Sequence, residues 1–336
     1  PSYFGDAVNG ADFTEESRRP DPHLLVRAYQ HSGLTLNFIR SLLDGGFADM
    51  HHPGNWDLSF FTHADLRPER RAAYEEVSQS LADALKFMEV LGEKRVDELT
   101  RVEFFTSHEG LNLLYESAQT RQVPRRAGFY NLCTHLPWIG ERTRQLDGAH
   151  VAFFSGIANP IGVKVGPTAD PSEVIRLTEV LNPANERGKL VLIGRMGAER
   201  VRDALPPIVD AVARAGRRCL WIADPMHGNG TKTTGGIKTR NFDAILDEIV
   251  GAFDAHASLG TTRDEHGREV PVSRLGGVHF ELTGEDVTEC VGGAAGITED
   301  ALTNNYASLC DPRLNYQQSL ELAFLVAERL ASVPRA

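Results

Sequence analysis

Pro160-Ile161-Gly162-Val163-Lys164-Val165 is the run on which the fold turns. It is short, largely β-branched, and apolar on both faces apart from one lysine, the pattern of a strand covered on both sides in a parallel sheet. Working outward, five further runs share its character, at residues 102–106, 129–135, 190–193, 219–223 and 277–282, with helical stretches between them. Strands alternating with helices predict crossover units and a mixed α/β fold. A polar cluster stands at or after nearly every run: Ser107-His108-Glu109, Gly140-Glu141-Arg142, Lys164, Arg195, Asp224-Pro225-Met226-His227 and Glu281. In a parallel sheet that position is the carboxyl edge, where barrels and doubly wound sheets gather their chemistry.

The part before residue 100 reads as helical. Residues 23–43 predict one helix, ended by Gly45-Gly46. Residues 69–91 predict a second, with Tyr74, Val77, Leu81, Leu85 and Met88 on one face and Gly92 at its end. Residues 261–274, charged and proline-containing, read as a solvated loop.

With 336 residues, 41% of them hydrophobic and 24% charged, the chain has room for a large core and carries no apolar run of membrane-spanning length. A formal net charge of -11 argues against nonspecific nucleic-acid binding and against docking on an anionic membrane, while a local basic pocket for a phosphate ligand stays compatible with it. Cys133, Cys219, Cys290 and Cys310 form no Cys-x-x-Cys pair and no disulfide framework, which fits a reducing compartment. The expected location is the cytoplasm, or a plastid if a transit segment precedes Pro1.

Glu141, Arg142, Lys164 and Arg195 form a first constellation. Cations at successive strand ends suit a small, multiply anionic ligand, because arginine pairs bidentately with phosphate or carboxylate and lysine supplies a point charge. Ordinary surface salt bridges are the alternative. A helix start at Gly166-Pro167-Thr168 would add backbone N–H donors for phosphate. His227, Glu281 and Asp311 form the second constellation, a mixed nitrogen and oxygen set suited to Mn, Fe, Co or Zn, with a core histidine and two capping carboxylates as its alternative. Cys290 and Cys310 read as buried free thiols. Gly292-Gly293-Ala294-Ala295-Gly296 lacks the ending of a phosphate loop and is no Rossmann fingerprint. His51-His52 and the group Lys232, Lys238 and Arg240 read as solvated loop residues.

Residues 138–150, Trp-Ile-Gly-Glu-Arg-Thr-Arg-Gln-Leu-Asp-Gly-Ala-His, and residues 157–167, Ile-Ala-Asn-Pro-Ile-Gly-Val-Lys-Val-Gly-Pro, closely resemble the class II (plant-type) 3-deoxy-D-arabino-heptulosonate 7-phosphate (DAHP) synthases. Arg195-Met196-Gly197, Asp224-Pro225-Met226-His227-Gly228-Asn229, residues 281–290 and Cys310-Asp311-Pro312-Arg313-Leu314-Asn315 continue the resemblance, and Pro1-Ser2-Tyr3 with Asp21-Pro22 carries it over essentially the whole chain. The resemblance implies a (β/α)8 TIM barrel with extra N-terminal helices, and a metal-dependent aldol-type synthase. Its reaction condenses phosphoenolpyruvate with erythrose 4-phosphate: the enol carbon attacks the aldehyde, water attacks the resulting oxocarbenium-like centre, and phosphate leaves, opening the shikimate pathway. Glu141, Arg142, Lys164 and Arg195 then match phosphoenolpyruvate positions, and Lys164, Glu141 or a metal-bound water would carry the protons, a choice the residues leave open. His227, Glu281 and Asp311 match ligands of a divalent metal, Mn2+ foremost and Co2+, Fe2+ or Zn2+ behind it. A homo-oligomer is implied as well.

The six runs match the family's third to eighth barrel strands, giving an N-terminal segment with an inserted helical pair at residues 1–99 and the rest of one catalytic domain at residues 100–336. Three family features have no counterpart here: a Gly-Gly-Asp-Cys-Ala-Glu block whose cysteine ligates the metal, a Lys-Pro-Arg-Ser block that grips erythrose 4-phosphate, and the first two strands. The expectation is that an upstream portion precedes Pro1. Phe4 stands where an arginine is common. A secondary-metabolism member using another aldehyde and a noncatalytic regulatory homologue are the alternatives.

Overall fold

The computed structural model describes residue 5 and residues 7–46, 103–264 and 266–332, together with Ala72, Glu76 and Asp83. Apart from those three positions, the helix expected over residues 69–91 lies outside the described residues, as do Phe4, His51 and His52. By its internal contacts the chain divides into two compact units, Pro1–Phe105 with Ala294–Gly296, and Thr106–Gly293 with Ile297–Ala336. In the first unit α1 spans Pro22–Asp44, close to the expected bounds. Pro22 opens it, the Asp21 carboxylate accepts from the His23 N–H, and Gly46 at φ 84° follows the cap, a conformation in which glycine carries no Cβ penalty.

The second unit runs through β1 (Ser107–Glu109), α2 (Leu113–Gln119), a hairpin of β2 (Thr120–Gln122) and β3 (Phe129–Asn131), β4 (Leu136–Ile139), α3 (Ala149–Ser155), β5 (Ile161–Val165), α4 (Pro171–Leu181), β6 (Leu190–Gly194), α5 (Val201–Arg214) and β7 (Leu220–Ala223). It continues through a hairpin of β8 (Gly230–Lys232) and β9 (Lys238–Arg240), α6 (Phe242–Ala257), a hairpin of β10 (Thr261–Arg263) and β11 (Glu269–Pro271), β12 (Leu275–Val278) and α7 (Tyr316–Ser332). β1, β4, β5, β6, β7 and β12 form one six-stranded sheet in that order, every pairing parallel. β5 and β6 are buried at every position, as their apolar runs require, with Lys164 of β5 the one charged side chain among them. Val174, Leu177 and Leu181 of α4 and Val201, Leu205, Ile208 and Val209 of α5 close over them in one core with Ile139, Phe154 and Trp221. A second cluster, Met226, Phe242, Ile245, Ile249, Cys290, Leu314 and Leu322, ties α6 and α7 to the segments after β7 and β12.

Three strand positions differ from expectation, each for a local reason. The first strand is Ser107–Glu109 rather than residues 102–106: the ladder to β4 starts at Ser107, and Phe104 and Phe105 stay exposed ahead of it. The second is Leu136–Ile139 rather than residues 129–135, whose first half forms the β2–β3 hairpin; Pro137, a residue strands seldom hold in their interior, weakens the strand signal there. The last is Leu275–Val278, with a register shift at Gly276 where a Cβ would lie 2.2 Å from Leu220 Cδ1. Residues 261–274 carry the β10–β11 hairpin in place of the loop expected there. Among the described residues no helix is long and apolar enough to cross a membrane.

Candidate active site

Lys164 opens the site from inside β5, 6% exposed and in an ion pair with Asp224 just beyond β7. Its ammonium also stands 5.6 Å from the Trp138 ring centroid, a cation–π contact from the neighbouring strand. Asp224 is fully buried. Burial alone would raise its carboxyl, but the hydrogen bond from His227 and the charge of Lys164 outweigh that and hold it well below the usual carboxylate range. The same carboxylate accepts from the backbone N–H groups of Met226 and His227 at 3.1 and 3.2 Å, which turns the chain so that the His227 ring comes back over the sheet.

His227 is gripped on both nitrogens. Nδ1 lies 2.8 Å from Asp224 Oδ2 and Nε2 lies 3.0 Å from Glu281 Oε1. Burial would lower this imidazole, yet the two carboxylates push it up to about 9. Glu281 accepts from Arg240 at 2.5 Å, and Asp311 from Lys238 at 3.2 Å. On the other side Glu141 accepts from the Gly166 N–H at 2.6 Å and from Arg144 at 3.1 Å, while Arg144 reaches Glu173 at 2.9 Å. The Gly166 amide is therefore taken by Glu141, and the phosphate cradle expected at residues 166–168 is absent: α4 starts later, behind its Asp170 cap. Arg195 donates to the His227 carbonyl. Behind them, Gly197 at φ 82° and Gly228 bring two backbones into contact, for a Cβ on Gly228 would lie 2.4 Å from the Gly197 nitrogen. Glu248 of α6 fastens both segments, accepting from the Met196 N–H at 2.6 Å and from the Asn229 amide at 2.7 Å.

Glu141, Arg142, Lys164, Arg195, His227, Glu281 and Asp311 all line one cleft of about 770 Å³, together with Glu109, Trp138 and His279. The sequence reading missed Arg240, expected as a solvated residue: it is 2% exposed and holds Glu281 and the carbonyls of Met226 and Pro312. Nothing local marks it, because two of these partners stand 41 and 72 residues away. Asp224 and Glu248 were also unassigned; the first had a signal in its place at a strand end, the second is one acid on an amphipathic helix. Cys310, expected buried, is exposed beside Asp311, while Cys290 is buried.

Whether these residues suit a metal is answered by the donor set. One ligand atom each from His227, Glu281 and Asp311 lies within 4.8 Å of the others. Asp224 occupies His227 Nδ1 and so orients the ring with Nε2 toward the two carboxylates, the carboxylate–histidine arrangement that metal-binding imidazoles commonly show. The residues fit a divalent ion.

The fold and cleft together define a parallel α/β protein whose strand ends bring three cations beside an imidazole and carboxylates. Comparison with known proteins gives the family. Residues 1–327 match the description of the class-II DAHP synthetase family. Proteins named phospho-2-dehydro-3-deoxyheptonate aldolase are 48% identical in Streptomyces coelicolor over 328 residues, 44% in Neurospora crassa over 344 and 45% in Mycolicibacterium smegmatis over 334, each across 98% of this chain and 69, 68 and 68% of their own lengths. A solved phospho-2-dehydro-3-deoxyheptonate aldolase from Francisella tularensis aligns at 15% identity with a TM-score of 0.38, over 59% of this chain and 56% of that one. The chain belongs to the class-II DAHP synthetase family.

Proposed function

We propose that the cleft at the strand ends is where this chain performs the 3-deoxy-7-phosphoheptulonate synthase reaction of its family, the first step of aromatic biosynthesis, on phosphoenolpyruvate and erythrose 4-phosphate. The observation that carries the assignment is the convergence of Glu141, Arg142, Lys164 and Arg195 with His227, Glu281 and Asp311 on one cleft. Arg142, Arg195 and Lys164 bind the carboxylate and phosphate of phosphoenolpyruvate; Arg195 is aimed by its bond to the His227 carbonyl and Lys164 by Asp224. Trp138 lines the cleft beside Lys164 and gives its ammonium an aromatic face. Glu141, steadied by Gly166 and Arg144, and Lys164 at its Nζ are the groups that hold and move protons as the enol carbon joins the aldehyde carbon and phosphate departs. His227, Glu281 and Asp311 would hold a divalent ion, Mn2+ foremost, which supplies Lewis-acid polarisation of an aldehyde oxygen.

A (β/α)8 barrel, a homo-oligomer and a cytoplasmic location belong to the same reading. The parallel six-stranded sheet supports the first, and sedimentation of the purified chain reads the second. The test of the site is phosphate release from phosphoenolpyruvate with erythrose 4-phosphate and Mn2+, with and without chelator. Turnover that stops with chelator and with Lys164→Ala supports the assignment. Turnover unchanged by chelator and by His227→Ala overturns the metal role, and turnover unchanged by Lys164→Ala overturns the cleft.

A further inference from the structure

A second group of metal-capable side chains lies on the opposite face of the sheet edge. Ser107 and Glu109 of β1 line the catalytic cleft. Alternation along a strand sends the side chain between them, His108, to the other face, where α2 packs. There His108 Nε2 lies 2.8 Å from Glu116 Oε1 of α2. Cys133, in the segment between β3 and β4, brings its Sγ to 3.8 Å from His108 Nε2 and 3.6 Å from Glu116 Oε2. Four-coordinate zinc with a thiolate at about 2.3 Å and nitrogen or oxygen at about 2.1 Å separates sulfur from the lighter donors by about 3.6 Å. The two sulfur distances already stand at that spacing; His108 meets Oε1 of Glu116 and Cys133 meets Oε2, so a turn of the carboxylate would present one oxygen to an ion shared with the other two donors.

Two further observations point to a cation. Glu116 is 2% exposed, and among the described residues no lysine or arginine pairs with it, although a buried carboxylate calls for a positive partner. The donors are also held from behind as ligands usually are. Asn131 donates its amide to Glu116 and accepts the Cys133 N–H at 3.0 Å, and Asn131 is itself fixed by the buried Asn159, which accepts the Asn131 N–H at 2.8 Å and donates to its carbonyl at 2.9 Å. His108 is 35% exposed, leaving a route in from solvent.

We propose that His108, Glu116 and Cys133 form a second metal site, distinct from the catalytic cleft, for a thiophilic divalent ion of which zinc is the type. Binding forms one metal–sulfur bond and releases the thiol proton to solvent, with no change of oxidation state. The ion clamps edge strand β1 to α2 and to the approach to β4. Its role is structural, and the proposal stands whether or not the catalytic assignment does.

The test is titration of the full-length chain with Co2+, followed by the near-ultraviolet sulfur-to-cobalt charge-transfer absorption and checked by zinc content after dialysis. The band is expected in the wild type, in His227→Ala and in Cys310→Ser, whose sulfur adjoins the other donor set, and it is expected to vanish in Cys133→Ser. Should Cys133→Ser fail to fold, His108→Gln at the half-exposed position replaces it, with zinc affinity weakened by roughly 100-fold or more. A wild type without the band, or a band that survives Cys133→Ser or disappears with Cys310→Ser, overturns the proposal.

Discussion

Replacing Glu248 by glutamine probes the backbone contact behind the cleft. The carboxylate is 1% exposed and accepts from the Met196 N–H on one oxygen and from the Asn229 amide on the other. Burial, first, and the charge of Asp224 push its carboxyl from the ordinary 4.5 up to about 7, against the lowering effect of the Met196 and Gly197 N–H groups. Between those two pH values the native state keeps a proton that the unfolded chain has released, so stability falls as pH rises through the window. At about 1.4 kcal/mol per pH unit the whole fall comes to about 3 kcal/mol. Glutamine has no such titration, and like the protonated carboxyl it accepts on one end and carries hydrogen on the other, so it stands in for the acid form. Chemical denaturation of both proteins from about pH 5 to about pH 8 is the assay, because every other titrating group cancels in the difference. The variant should gain on the wild type by about 3 kcal/mol across the range. Parallel pH profiles would refute the account of Glu248 as a carboxylate held at a penalty.

Other expectations follow from the same contacts. Arg195→Ala should weaken phosphoenolpyruvate by about 2–5 kcal/mol, read as a rise in KM or Kd, and an unchanged affinity removes Arg195 from the anion site. Gly162→Ala places a Cβ 2.7 Å from Trp138 Cβ, so the strand or the ring must shift; a loss of about 1–3 kcal/mol in unfolding free energy is expected, with weaker phosphoenolpyruvate binding. His256, 3% exposed, is driven by burial from 6.5 down to about 4, so the unfolded state takes up a proton that the native state refuses and stability drops as pH falls from 6.5 to 4. His256→Gln should flatten that acid limb in a denaturation series, and an unaltered limb assigns the titration elsewhere.

The sheet and the cleft were legible in the sequence to different depths. Runs such as residues 160–165 and 190–193 announce themselves because burial on both faces selects apolar side chains, Lys164 being the one exception, and they became β5 and β6 within a residue. β4 did not, since Pro137 and Trp138 satisfy the ladder only in the company of β1 and β5. The charged residues at strand ends were found because a parallel sheet brings its carboxyl ends to one side. Arg240 and Glu248 were not, for their meaning lies in partners supplied by distant chain: a carbonyl at Pro312 for one, an amide at Met196 for the other. The metal-capable trio at His108, Glu116 and Cys133 escaped for the same reason, spread over a strand, a helix and a loop.

The contact between Gly197 and Gly228 has a practical consequence for anyone recombining this chain with its relatives. The segment carrying Arg195 and the segment carrying His227 touch through bare backbone, with no side chain between them to absorb a misfit. A crossover placed between the two holds the seam only where the incoming segment also carries glycine, so a library built strand by strand should fix Gly197 and Gly228 in every member and keep Glu248 with them.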